Sequence, residues 1–124
     1  MNILGMGNAL VDVLIRVEKD SILEELRLPK GSMQLVDETR LQEIEDRTGG
    51  FERILVSGGS AANTVHGLAD LGMKTGFIGS AGRDAWGDFY IQDLINKGIT
   101  PIFYRPDKPT GRAMALLTPD SERT

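Results

Sequence analysis

A carboxylate, two carboxamides and a glycine pair are the residues in this chain whose types and spacing could do chemistry. Asp12 closes the run Asn8-Ala9-Leu10-Val11-Asp12 and has apolar residues on both sides. A buried carboxylate is costly unless it is hydrogen-bonded, so this placement needs a reason. Two readings stand side by side. Asp12 is a turn or cap residue at a strand end, or it is aimed at ligand hydroxyls from the C-terminal edge of a sheet, where α/β proteins place their sites. The second group lies in Val56–Gly72, VSGGSAANTVHGLADLG. Gly58 and Gly59 permit positive φ and let backbone N–H groups approach a ligand with no Cβ in the way. Asn63 adds two donors and an acceptor oxygen over the turn. Such a mixture suits a polyhydroxylated ligand better than a bare phosphate. The competing reading is that Gly-Gly only turns the chain while Ser60 or Asn63 caps the helix. His66 is the single histidine, and no serine or carboxylate stands at a recognisable catalytic spacing from it, so it is read as a packing or surface residue.

These residues need elements to hold them. The apolar run 53–56 reads as a strand end, and Ala61, Val65 and Leu68, with Ala62 and Ala69, recur at helical spacing up to a left-handed cap at Gly72. Residues 1–6 read as a buried strand, central in a sheet, and 13–17 as a half-exposed one. Asp20 is expected to cap a helix over 21–28, stopped by Pro29. A short strand is expected at 31–36. Asp37 should open a helix to about Arg47, with Leu41 and Ile44 inside and Glu38, Glu43, Glu45 and Asp46 on a solvated face. A strand at 74–81 leads to a helix capped by Asp84, with Trp86, Phe89, Ile91, Leu94 and Ile95 as its buried side. Strands follow at 99–104 and 112–117, and 118–122 reads as a hairpin turn whose returning arm has only Arg123 and Thr124. An unpaired arm of that kind looks like a truncation.

Gly5-x-Gly7 does not make a dinucleotide fingerprint. Its third glycine would fall at Leu10, and a strand follows instead of a helix. No phosphate-binding GxxxxGK[ST] sequence occurs either. The chain's 124 residues are enough for one domain. Its 40% hydrophobic and 26% charged residues are ordinary for a soluble protein. Without cysteine there is no disulfide, thiolate chemistry or cysteine-based metal site. A net charge of −4 argues against a nucleic-acid footprint, and no apolar run approaches a membrane span. The N-terminus lacks the basic segment of a signal peptide. A cytoplasmic protein is expected.

Taken together, GMGNALVD at 5–12, GGSAANT at 58–64, GSAGRDAWGDFYIQDLINKGI at 79–99 and PTGRAMALLTPDSERT at 109–124 resemble the PfkB, or ribokinase-like, carbohydrate kinases. The likeness covers essentially the whole chain in the family's own order. GNALVDVL and KGSMQLVDE at 30–38 look most like the adenosine-kinase-like branch and its bacterial sugar-kinase relatives. The resemblance implies an α/β fold: a Rossmann-type sheet flanked by helices, with an inserted β-lid built from about 13–18, 31–36, 51–57 and 111–124. It implies that Asp12, with Asn8 nearby, binds sugar or ribose hydroxyls. Gly58, Gly59 and Asn63 would line the same sugar, with Ser60 at a variable contact. Met33, Gln34, Ala113 and Met114 would belong to the lid, which in several relatives also forms a homodimer interface.

The implied reaction is transfer of phosphate from MgATP to a primary hydroxyl of adenosine or a small sugar. Within the family the catalytic aspartate belongs to a later Gly-x-Gly-Asp segment, which is absent here. It is therefore expected beyond Thr124, along with the ATP site, and this N-terminal portion alone is expected to be inactive. Two alternatives accompany this reading: a non-catalytic sugar- or nucleoside-binding module of the same fold, and an interaction protein whose flap strands pair with another chain.

Overall fold

A computed structural model describes residues 2–124 of the chain. Two compact units are distinguishable. The first comprises the segment up to Asp12 together with Leu55–Ala113, and the second comprises Val13–Ile54 with Met114–Thr124.

The first unit is built on a parallel sheet of β1 (Asn2–Met6), β4 (Lys74–Ser80) and β5 (Thr100–Tyr104), in the order β1-β4-β5. Asn2 pairs with Lys74 and Met6 with Ile78, while Gly76 pairs with Thr100 and Ser80 with Tyr104. Helix α3 (Ser60–Asp70) packs on β1 and β4, and α4 (Ala85–Asn96) packs on β5. The close seat of α3 accounts for Gly5 and Gly7. A Cβ on Gly5 would lie 2.4 Å from Val65 Cγ2, and one on Gly7 would lie 2.9 Å from Ala61 Cβ. The two glycines therefore make room for a helix. Inside, Phe77, Tyr90 and Phe103 meet with ring centroids 5.9–6.3 Å apart, close to the tilted and edge-on arrangements that aromatic quadrupoles favour.

Two expectations for this unit are corrected. β1 is an edge of its sheet among the described residues, not a central strand, and Leu4 and Met6 are 59% and 73% exposed. On α4 the buried residues are Gly87, Tyr90 and Leu94, with Ile95 exposed and Trp86, Phe89 and Ile91 only half-buried. Positions 87, 90 and 94 keep the i, i+3, i+7 period of one helix face, and a 100° step beyond Leu94 carries Ile95 off it. Asp84 caps α4 as expected, accepting from the Gly87 N–H at 2.7 Å.

In the second unit, α2 (Glu38–Thr48) is capped by Asp37, whose carboxylate accepts from the Arg40 N–H, and it buries Leu41 and Ile44. Its outer carboxylates are exposed except Glu45, which is half-buried and paired with Arg53. A further three-stranded sheet has the order β3-β2-β6, with β2 at Leu10–Arg16, β3 at Arg53–Gly58 and β6 at Gly111–Leu117. The hairpin after β6 forms as expected, with Leu116 and Thr124 exchanging backbone hydrogen bonds at 2.9 and 3.1 Å.

Asp20 does not cap α1 (Ser21–Glu25) with its side chain, and that helix ends earlier than expected. Its carboxylate accepts instead from Lys30 Nζ, which also reaches Asp120 at 2.7 Å. Residues 31–36 form no strand. The Gly31 N–H donates to Thr124 Oγ1, and Met33 and Leu35 are fully exposed, at 99% and 103%. The period-2 apolar pattern is present there, but a strand needs a neighbour to take its backbone groups. No helix of the described residues is long and apolar enough to cross a membrane.

Candidate functional site

β3 ends in Ser57 and Gly58, both buried, and the chain then turns at Gly59 into α3. Gly59 has φ +97°, a backbone conformation that side-chain-bearing residues rarely adopt, and a Cβ there would also lie 2.7 Å from the Asn8 carbonyl oxygen. Gly58 packs on a side chain instead: its Cβ would stand 2.5, 2.7 and 2.8 Å from Asp12 Oδ2, Cγ and Oδ1. The turn therefore lies directly against the Asn8–Asp12 segment, and both contacts depend on the absence of a side chain. Asp12 itself is half-buried near the start of β2.

The N-cap of α3 is Gly59, with no side-chain cap, so neither Ser60 nor Asn63 spends its side chain on capping. Both side chains are exposed in the first turn, and the Asn63 N–H donates to the Gly59 carbonyl at 2.9 Å. The opening amides of a helix have no intrahelical acceptors. Donors from α3, amphoteric Ser60 and Asn63 side chains and the carboxylate of Asp12 are thus gathered around one glycine turn. That combination can accept from and donate to neighbouring hydroxyls. Asn8, exposed, contributes its backbone carbonyl to the fit of Gly59.

The four residues expected in a lid occupy different surroundings. Met33 and Gln34 lie on the exposed, unpaired segment of the second unit, while Ala113 and Met114 are half-buried in β6. Gly111, at the start of β6, sits close against Leu10 and the Ala9 carbonyl. His66 is half-buried, and its Nε2 is buried without a hydrogen-bond partner in the structure. An open hollow of about 650 Å³ lies along the outer face of α2, lined by Glu38, Gln42 and Asp46 among others. It is the surface of a solvated helix, and neither Asp12 nor any residue of the glycine turn lines it. Among the described residues, no three His, Cys, Asp or Glu side chains are grouped to hold a metal ion.

Several residues behind the turn escaped the sequence reading. The Tyr90 hydroxyl, fully buried, donates to the Gly58 carbonyl at 3.0 Å. Burial first, then the negative charges of Asp12 and Asp93, push its phenol up to about 12. The Ser57 hydroxyl donates to Asp93 Oδ2 at 2.6 Å. Asp84 is held at both ends: its carboxylate accepts from the Thr110 N–H at 2.9 Å and the Thr110 hydroxyl at 2.6 Å, besides capping α4. Burial pushes the Asp84 carboxyl up, but its hydrogen bonds from Thr110 and Gly87 and the charge of Arg112 outweigh this and hold it below the usual range. The α4 pattern held a signal for Tyr90, which shares a face with Gly87 and Leu94. Nothing local marked Thr110 or Ser57.

Residues 35–124 match the pfkB family carbohydrate kinases. Adenosine kinase from Sinorhizobium meliloti superposes with a TM-score of 0.80 at 35% identity, over 98% of this chain and 37% of that one. A probable sugar kinase from Rhizobium etli gives 0.73 at 34% identity with the same two coverages. A 5-dehydro-2-deoxygluconokinase of Geobacillus thermodenitrificans is 51% identical over 51 residues, which is 41% of this chain and 15% of the relative. The chain therefore spans well under half the length of each.

Proposed function

The chain belongs to the pfkB family of carbohydrate kinases, and on that premise we propose that Asp12, Asn8, Gly58, Gly59, Ser60 and Asn63 form the acceptor-binding side of an ATP-dependent kinase. The acceptor is a primary hydroxyl of adenosine or a small sugar. The observation that carries the reading is the packing of Gly58 on the Asp12 carboxylate, at distances no other residue type allows. It sets a strong hydroxyl acceptor beside the amides and side chains that open α3. Adenosine leads the acceptor list because an adenosine kinase matches nearly the whole of this chain, though a probable sugar kinase does so at similar identity.

We assign the phosphoryl-transfer step to a catalytic aspartate beyond Thr124. In this reading ATP and Mg2+ belong with it, as the family's kinase reaction requires. Phosphoryl transfer depends on positioning and charge stabilisation, and this chain supplies positioning of the acceptor. The same reading assigns 13–18, 31–36, 51–57 and 111–124 to a lid, with Met33, Gln34, Ala113 and Met114 as its candidate contacts and as a homodimer surface in a cytoplasmic enzyme.

Titration calorimetry of the chain with adenosine and with ribose tests the proposal. Saturable binding that weakens at least about tenfold in Asp12→Asn, the worth of one hydrogen bond to a charged group, is expected. Unchanged binding in that variant refutes the site. Phosphorylation of either compound by the 124-residue chain alone refutes the division of labour.

A further inference from the structure

Two contacts from one face of α4 reach the end of β3. Tyr90 donates to the Gly58 carbonyl, and three residues on, Asp93 accepts from the Ser57 hydroxyl. Ser57 and Gly58 are consecutive, so the last two residues before the glycine turn are each tied to α4 by a side chain. The Tyr90 tie is buried and the Ser57 tie part-buried, with Asp93 half-exposed. Tyr90 is 0% exposed, and Ser57 is 4% exposed. The tyrosine ring cannot swing away, because Phe77 and Phe103 flank it at 6.3 and 5.9 Å between centroids. Gly58 in turn lies against the Asp12 carboxylate. A continuous path therefore runs from α4 through the glycine turn to Asp12.

We infer that Tyr90 and Asp93 are positioning residues for the hydroxyl-binding turn, fixing Gly58-Gly59 against Asp12 without themselves touching the ligand. The inference rests on the reading of Asp12 as the group that binds ligand hydroxyls. A phenol is suited to the task. Phenylalanine would fill the same space and complete the same aromatic cluster, so the hydroxyl adds the tie to Gly58 and nothing to the packing. The tie is polar, short and buried, and a glycine turn has no side chain of its own with which to fix its position.

The test compares the wild-type chain with Tyr90→Phe, Ser57→Ala, Ser57→Thr and Asp12→Asn. Adenosine affinity is read by calorimetry, and amide hydrogen exchange is read residue by residue. Tyr90→Phe is expected to weaken adenosine binding about fivefold, the worth of one neutral hydrogen bond, and Ser57→Ala about tenfold or more, because its acceptor is a carboxylate. Exchange should quicken by a similar factor at residues 58–63 only, and Ser57→Thr should restore both readouts. A purely structural role would instead quicken exchange throughout the first unit. That result, or wild-type affinity and exchange at 58–63 in both variants, overturns the inference. Should the wild type bind no adenosine and Asp12→Asn change nothing, the hydroxyl-binding reading fails. Exchange then decides the mechanical claim by itself: quickening confined to 58–63 upholds it, and no change there overturns it.

Discussion

Replacing Gly58 with alanine adds one carbon at the point where the turn meets Asp12. That carbon would lie 2.5 Å from Oδ2, whereas ordinary contact begins at 3.4 Å, so one side must retreat by about 0.9 Å. Gly58 is buried backbone with its carbonyl tied to Tyr90, so the Asp12 side chain, which can rotate about its own bonds, is the group expected to shift. Overpacking of this kind costs about 1–3 kcal/mol of stability. With Asp12 in its proposed role, displacing the carboxylate also removes a charge-assisted hydrogen bond to the ligand, worth about 1.5–3 kcal/mol, or roughly 10- to 150-fold in affinity. Gly59→Ala should differ in kind. There the neighbour is the Asn8 backbone carbonyl and φ is positive, so the loss falls mainly on stability. Denaturant unfolding and adenosine titration of Gly58→Ala, Asp12→Ala and the double variant separate the effects. Asp12→Ala makes room for the new methyl, so the double variant should recover about 1 kcal/mol or more of the stability lost in Gly58→Ala. Strict additivity, or full affinity in Gly58→Ala, would refute the contact on which the site is built.

The packing of α3 on β1 yields a similar test. Gly5→Ala should lose about 1–3 kcal/mol, because its methyl would meet Val65 Cγ2, and Val65→Ala should relieve part of that loss in unfolding experiments. At the other end of α4, Asp84→Ala removes a cap, worth about 1 kcal/mol, and strands the amide and hydroxyl of buried Thr110, a further 1–3 kcal/mol or so. Because the folded Asp84 carboxyl is held below its usual range, its contribution is complete above about pH 4 and fades as pH falls through the folded value. Unfolding midpoints measured from pH 6 to 2 should therefore fall less steeply for Asp84→Ala than for the wild type.

What the sequence disclosed was local. Helix α4 is announced by Asp84, three residues before the amide it caps, and Gly72 and Gly98 take the positive φ that ends α3 and α4. The glycine turn and its helix were likewise readable, and Asp12 stood out as a carboxylate among apolar residues with two readings open. The failures share one cause. Residues 31–36 have the alternation of a strand, but pairing depends on a neighbour that a sequence pattern does not name. Asp20 has a capper's residue type and instead answers Lys30, ten residues away. Tyr90 and Ser57 act on partners 32 and 36 residues off, and Thr110 acts on one 26 residues off. Contacts of that reach leave a trace only in which helix face carries a polar atom, and on α4 the larger apolar residues drew attention away from it.

The parallel ladder between β1 and β4 also sets an order of events during synthesis. Asn2 pairs with Lys74 and Met6 with Ile78, so β1 waits for about 70 further residues before its partner exists. At a ribosomal rate of about 5–20 residues per second, that interval is roughly 4–14 s. Throughout it, Ile3, Leu4 and Met6 form an apolar segment with no β4 beside it, and for most of it α3 is not yet made. Long-range parallel pairing is slow for the same entropic reason. An apolar segment that precedes its partner strand by that interval is a natural target for a chaperone that binds short apolar stretches near the ribosome exit.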